Sequence, residues 1–197
     1  MSDTRHGLVT SPRSRAQILV DSGQLPHWQA VELEGGKFFP ATEGNLQDSF
    51  APDDIPNRAP PADGLIASGG HTDQRAILNQ PGTHWARNPV RSGEQLNIRW
   101  DYTATHLTRR WNYFITRDGW NPNAVLSRAQ FEPTPFATYL LQHRPFWTQT
   151  GQLMPSNPTQ HPITLPNKSG YHVILAVWEV ADTWYAFYQA IDVDFIA

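Results

Sequence analysis

The sequence predicts a mainly β protein, a β-sandwich with a large loop-rich insertion that contains short helices. Three observations carry this prediction: period-2 alternation of apolar residues in the C-terminal half, turn residues between the alternating runs, and a high content of Pro and Gly, with 17 and 13 residues among 197. A chain of this length can form one domain with its own core. We expect a single domain over residues 6–197, preceded by an N-terminal extension or leader remnant at residues 1–5.

The segment from about residue 39 to residue 88 differs from the rest of the chain. It is rich in Pro, Asp, Asn and Gly, and its apolar residues show weak periodicity. A loop this long in a compact domain is usually functional. We expect an insertion that packs against the sandwich, with short helical turns around residues 72–79.

The C-terminal half contains four segments with the patterns of β-strands. Apolar and polar residues alternate over 95–102, and the same period returns over 111–115. Residues 171–180 are almost continuously apolar, as is typical of a strand covered on both faces. Residues 184–195 place several large apolar side chains on one face. Turn signals such as Asp118-Gly119 separate these runs, and the succession favours a sandwich.

Composition excludes several classes of function. The net charge is −3 without a basic stripe, which argues against nucleic-acid binding, and the longest apolar run, 173–178, is too short to span a membrane. The absence of cysteine excludes disulfides, thiolate metal sites and a cysteine nucleophile. Neither a Gly-x-Ser-x-Gly elbow nor a phosphate or dinucleotide glycine motif is present, and no glycosidase-like carboxylate pair stands out.

Two distant histidines point to a metal. If the chain were cut after Arg5, His6 would offer an α-amine and an imidazole, and the imidazole of His106 would supply a third nitrogen. An all-nitrogen set of this kind suits copper better than a hard cation. In the uncut chain the amine is a peptide nitrogen, so the predicted site depends on where the protein begins.

Matching motifs run from His6 almost to the end of the chain. They include Ala181-Asp182-Thr183 and Ala186-Phe187-Tyr188-Gln189, and the full set is 6–12, 14–16, 29–32, 61–64, 66–68, 111–116, 126–129, 134–136, 169–178, 181–183 and 186–193. With them the chain resembles the lytic polysaccharide monooxygenases of the chitin-binding-protein type, auxiliary activity family 10. The resemblance implies an immunoglobulin- or fibronectin-III-like β-sandwich. Members commonly carry two disulfides, which this chain lacks.

The resemblance also implies a set of site residues. His6 and His106 would hold one copper ion as a histidine brace, through the amine and Nδ1 of His6 and Nε2 of His106. Phe187 would pack on the axial side of the metal, with Ala104 near the other axial position. Glu32 matches the carboxylate thought to position or protonate the oxygen co-substrate. Four residues are expected to contact the polysaccharide: His27, Trp28, Asp182 and Tyr185.

The implied activity is copper-dependent oxidative cleavage of crystalline chitin, with oxidation at C1, an external electron donor, and hydrogen peroxide or oxygen as co-substrate. The expected partners are chitin or a related insoluble polysaccharide, with no nucleic acid and no membrane, and the expected state is a monomer. The family implies an extracellular protein, although the first five residues encode no signal peptide. Two alternatives stay open: a non-catalytic chitin-binding protein, and a relative that acts on cellulose or another polysaccharide.

Overall fold

The structure, a computed structural model, describes residues 6–197, so the predicted extension at residues 1–5 lies outside the described residues. Two sheets pack face to face as a β-sandwich, one of three strands and one of six. All strand pairs are antiparallel except one. The predicted fold class is confirmed. Within the described range, no helix is long and apolar enough to cross a membrane.

The strands are β1 (Gly7–Ser11), β2 (Glu34–Gly36), β3 (Asn88–Val90), β4 (Gln95–Tyr102), β5 (Thr108–Ile115), β6 (Ala137–Leu140), β7 (Thr159–Thr164), β8 (Gly170–Val180) and β9 (Tyr185–Phe195). The α-helices are α1 (Arg15–Asp21), α2 (His27–Val31) and α3 (Thr150–Leu153), and shorter 3₁₀ helices are Ile66–Ser68, Gln74–Asn79, Arg128–Gln130 and Phe146–Thr148. The small sheet has the order β1-β4-β7. The large sheet has the order β2-β9-β8-β5-β6, with β3 parallel to β9.

Strands β8 and β9 are buried on both faces, as the apolar run at 171–180 predicts. One face contributes Trp178 and Ile191 to the core between the sheets, where they meet Trp100 of the small sheet. The other face contributes Leu175 and Tyr188 to a second core beneath α1, α2 and the insertion. Because both faces of each strand are covered, apolar residues do not alternate with polar ones along β8 and β9.

The insertion between β2 and β3 contains no strand and only the 3₁₀ helices at 66–68 and 74–79. The helical turns predicted around 72–79 are therefore confirmed. The insertion is attached to the large sheet at the turn between β8 and β9, where the backbone N–H of Ile55 donates to the carbonyl of Ala181 at 3.0 Å. Nearby, the buried carboxylate of Asp54 accepts two hydrogen bonds from Arg109 of β5.

His161 on β7 is buried among aromatic side chains. The indole N–H of Trp100 donates to the Tyr113 hydroxyl at 3.2 Å, and this hydroxyl is hydrogen-bonded to Nδ1 of His161 at 2.6 Å, where we assign it as the donor. The imidazole also stacks on Tyr139 with 3.9 Å between ring centroids. An imidazole that accepts at Nδ1 is neutral, and burial lowers the pKa of His161 from 6.5 to about 4.

We expect the free energy of unfolding to fall as the pH drops from about 6.5 to about 4, because the unfolded chain protonates this imidazole first. A lowered folded-state pKa means that the contribution is complete above the unfolded pKa and disappears on acidification. The gap between the two pKa values of His161 corresponds to up to about 3 kcal/mol. Denaturant unfolding at pH 7 and pH 4.5 measures it. His161→Gln is the comparison, and an equal loss of stability in both proteins would contradict the assignment.

Candidate functional site

Pairing of β1 with the end of β4 brings His6 and His106 together across the chain. His6 immediately precedes β1, and its carbonyl accepts the backbone N–H of Thr103 at 2.9 Å. His106 lies three residues further along the same loop, between β4 and β5. Both imidazoles lie against Phe187, each with 5.8 Å between ring centroids. The two predicted metal ligands therefore share one aromatic neighbour.

The loop that carries His106 is fixed by hydrogen bonds to the large sheet. The indole N–H of Trp178 donates to the Thr108 hydroxyl at 2.7 Å, and that hydroxyl donates to the carbonyl of His106 at 3.1 Å. The Nδ1 atom of His106 lies 3.6 Å from a carboxylate oxygen of Asp182. Since Nδ1 faces Asp182, Nε2 is directed to the other side of the ring. Asp182, predicted to contact substrate, lies beside this histidine.

Phe187 forms an apolar wall below the two imidazoles. It is 1% exposed and stacks on Trp178 with 4.6 Å between ring centroids. It belongs to β9 and there pairs with Trp178 of β8 on one side and with Glu34 of β2 on the other. The Phe187 ring is a hydrocarbon and offers no atom that could bind a metal. Because it is anchored in β9, it also excludes water from the side of the histidines that it covers.

Glu32 follows α2 as its C-terminal cap residue and faces His6. One carboxylate oxygen lies 3.7 Å from Nδ1 of His6, and the other lies 3.8 Å from Nη1 of Arg75. Arg75 also donates to the backbone carbonyl of Glu32 at 3.0 Å. The predicted carboxylate is thus adjacent to a predicted metal ligand and is oriented by a guanidinium.

A second carboxylate, Glu34, was missed by the sequence analysis. It lies on β2 directly opposite Phe187 and is half-buried. Burial, followed by the negative charge of Glu32, raises the pKa of Glu34. The two glutamates flank the buried Leu33, and this i, i+2 spacing is the signal that could have placed both on one side of the chain.

The other predicted site residues lie on the elements that carry Glu32, His106 and Phe187. Trp28 is 56% exposed and precedes Glu32 by four residues, so both lie on the same side of α2, about one helical turn apart. His27 is exposed at the start of α2, and half-buried Ala104 lies in the His106 loop. The Tyr185 hydroxyl accepts a hydrogen bond from Arg58 at 2.8 Å.

The donor set fits copper only with a contribution from the main chain. Among residues 6–197, no three His, Cys, Asp or Glu side chains are arranged to hold a metal ion. Two imidazoles against one apolar wall still provide two nitrogen donors, and a free amine on His6 would complete the all-nitrogen set predicted from the sequence.

Comparison with known proteins adds independent information. Residues 6–193 match the family model described as lytic polysaccharide mono-oxygenase, cellulose-degrading. GlcNAc-binding protein A of Shewanella oneidensis is 35% identical over 196 residues, which cover 96% of this chain and 35% of that protein. The chain spans about a third of the length of the curated relatives that it matches.

Solved structures match along nearly the whole chain. A chitin binding domain from Burkholderia pseudomallei is 52% identical with a TM-score of 0.95, covering 98% of this chain and 100% of that one. An AA10 LPMO from Photorhabdus luminescens is 34% identical with a TM-score of 0.77, covering 96% and 98%. The Bacillus amyloliquefaciens CBM33 in complex with Cu(I) after photoreduction is 32% identical with a TM-score of 0.69, covering 97% and 100%. This chain belongs to auxiliary activity family 10 of the lytic polysaccharide monooxygenases.

Proposed function

We propose that this protein, once His6 is its N-terminal residue, is a copper-dependent monooxygenase that cleaves crystalline chitin by oxidation at C1, with an external reductant and hydrogen peroxide or oxygen. The observation that carries the proposal is the convergence of His6 and His106 on Phe187. The copper complex of the Bacillus relative supports the choice of metal. The relatives described as a GlcNAc-binding protein and a chitin binding domain support chitin as the polymer. Because chitin is an insoluble polymer, we infer that the protein acts outside the cell.

In this proposal His6 would hold one copper ion through its amine and Nδ1, and His106 would hold it through Nε2. Bound copper would supply the one-electron redox chemistry that activates the oxygen co-substrate. Phe187 would exclude water and strong ligands from the side of the ion that it covers, and Ala104 of the His106 loop would lie near it. Asp182 holds the His106 ring in position through Nδ1, 3.6 Å from its carboxylate.

Glu32 orients the oxygen co-substrate and exchanges a proton with it. Its carboxylate lies 3.7 Å from Nδ1 of His6 and 3.8 Å from Arg75, so a carboxylate with a charged partner is in place beside a predicted metal ligand. A carboxylate next to a metal is a suitable general acid and base. Exposed His27 and Trp28 on one side, with Asp182 and Tyr185 on the other, contact the polymer.

Cellulose is the second candidate substrate, because the matching family model is described as cellulose-degrading. One assay tests both which polymer is the substrate and whether cleavage is oxidative. A chain that begins at His6 is loaded with copper and incubated with β-chitin or with cellulose, ascorbate and a little hydrogen peroxide. Mass spectrometry then identifies soluble products oxidised at C1.

We expect oxidised chito-oligosaccharides, and at least about 100-fold less product from His106→Ala, because loss of a metal ligand exceeds the effect of losing an outer-shell contact. His84→Ala is the matched control and retains activity, because this exposed histidine packs on Trp85 beyond the Arg15–Asp192 pair, and Asp192 lies about 17 Å along β9 from Phe187. Undiminished product from His106→Ala would refute the metal assignment. Adsorption to chitin without oxidised products would instead favour a non-catalytic binding protein.

A further inference from the structure

Trp184 is an exposed tryptophan beside the candidate metal centre that no part of the proposed mechanism uses. Its side chain is 50% exposed. It lies two residues after Asp182, whose carboxylate contacts His106, and three residues before Phe187, a separation of about 10 Å along an extended chain. Covering a large apolar side chain at such a position removes apolar surface from water and is therefore favourable.

The backbone beneath Trp184 is tied to two other segments. Its carbonyl accepts the N–H of Lys37 at 3.3 Å and the N–H of Arg58 at 3.2 Å. The close approach depends on Gly36, where a Cβ atom would lie 2.0 Å from the carbonyl oxygen of Arg58. Because three segments meet here, the backbone of Trp184 is already ordered. Binding a ligand on this side chain therefore costs little conformational entropy of the loop.

Arg58 and Tyr185 complete a polar and aromatic surround. The Arg58 guanidinium lies 6.0 Å from the Trp184 ring and 5.8 Å from the Tyr185 ring. One of its nitrogens donates to the Tyr185 hydroxyl at 2.8 Å, which holds the guanidinium in place. Arg58 is exposed, so its outward N–H groups are available as donors at the same surface.

Trp184 separates two surface depressions. The first, of about 430 Å³, is lined by Gly44, Asn45, Asn57, Arg58, Ala59 and Trp184. The second, of about 310 Å³, is lined by Ile55, Asp182, Thr183, Trp184 and Tyr185 and leads towards His106. A polymer that lies across the metal centre and continues over Trp184 would therefore pass from one depression to the other.

We propose that Trp184 and Arg58 form a sugar-binding subsite that extends the polysaccharide-binding face beyond the metal centre. The C–H face of a pyranose ring is slightly positive and packs on the electron-rich face of the indole. Arg58 donates hydrogen bonds to hydroxyl or carbonyl oxygens of the same sugar or its neighbour. The ligand class is a β-linked polysaccharide, and its assignment to chitin rests on the proposed function.

Adsorption isotherms test the subsite without any reductant. A copper-loaded chain that begins at His6 is compared with Trp184→Ala, Trp184→Phe and Arg58→Met on β-chitin and on cellulose. We expect Trp184→Ala to weaken adsorption at least about fivefold, as truncation of an aromatic anchor does, whereas Trp184→Phe keeps most of it. Arg58→Met gives a smaller loss. Ile196→Ala, an exposed apolar residue roughly 35 Å away beyond the other end of β9, is the control.

An unchanged Cu(II) electron paramagnetic resonance spectrum in every variant shows that the metal centre is intact, so a loss of adsorption belongs to the polymer contact. Equal adsorption of the wild type and Trp184→Ala would overturn the proposed subsite. It would not contradict the proposed oxidative activity. Loss of adsorption confined to cellulose would support the subsite and count against chitin. A wild type that adsorbs to neither polymer would overturn the subsite together with the proposed function.

Discussion

A chain that begins at His6 is expected to bind Cu(II) at least about 100-fold more tightly than the same chain with a single residue joined to its amine. The two imidazoles already lie on Phe187, so the extension changes neither side chain. It converts the third nitrogen from an amine into a peptide nitrogen, which does not bind copper at neutral pH unless it loses its proton. Changes outside the ligand shell alone alter metal affinity by about 10- to 100-fold, and removal of a ligand exceeds that.

Competition with a chelator of known affinity measures the two dissociation constants, and electron paramagnetic resonance counts the nitrogen ligands in each complex. His106→Ala in the chain beginning at His6 should weaken Cu(II) binding by a comparable factor, because it removes the other imidazole ligand. His84→Ala should leave the affinity unchanged, since its side chain is exposed and packs on Trp85, away from Phe187 and both ligands. Equal affinities of the short and extended chains would show that the amine is not a ligand.

Local periodicity was sufficient to predict the strands that carry the core. The run at 171–180 has a single physical explanation, burial on both faces, and β8 is built that way. By contrast, β7 was not predicted, because only Ile163 is apolar on its buried face, which otherwise consists of Thr159 and His161. Helix α2 has five residues, too few for a 3.6-residue period to appear.

The pairing of His6 with His106 was predicted from their nitrogen donors and from the family resemblance, without any local pattern that brings them together. Their meeting depends on the pairing of β1 with β4, segments about 90 residues apart in the chain. The same reason explains why Glu34 and Trp184 were missed. Each acquires its neighbours from a distant segment: Glu34 from Phe187 and Trp184 from Arg58.

The charge pair between Asp54 and Arg109 joins the insertion to β5 of the large sheet, three residues along the chain from His106. Two guanidinium nitrogens of Arg109 donate to the two carboxylate oxygens of Asp54 at 2.7 and 3.0 Å, and both side chains are 1% exposed. A third nitrogen donates to the carbonyl of His143 at 3.1 Å. The next residue, Ile55, is hydrogen-bonded to Ala181, the neighbour of Asp182.

We expect Asp54→Ala to lower the free energy of unfolding by about 3 to 5 kcal/mol, because it leaves a buried guanidinium without its counter-charge. The double variant Asp54→Ala with Arg109→Met should recover much of that loss, since it removes both charges. Asp21→Ala, which breaks an exposed pair with Arg13 at 3.5 Å, should change stability by less than about 1 kcal/mol.

Denaturant unfolding of the three variants measures these differences, and amide hydrogen exchange locates them. If the pair fastens the insertion, Asp54→Ala accelerates exchange at the N–H of Ile55 and at Ala181, while the core of β8 keeps its protection until global unfolding. The exposed pair near α1 should produce no such pattern. A loss within about 1 kcal/mol for Asp54→Ala would mean that water or the surrounding carbonyls satisfy Arg109 on their own, and that the insertion is held by its apolar contacts instead.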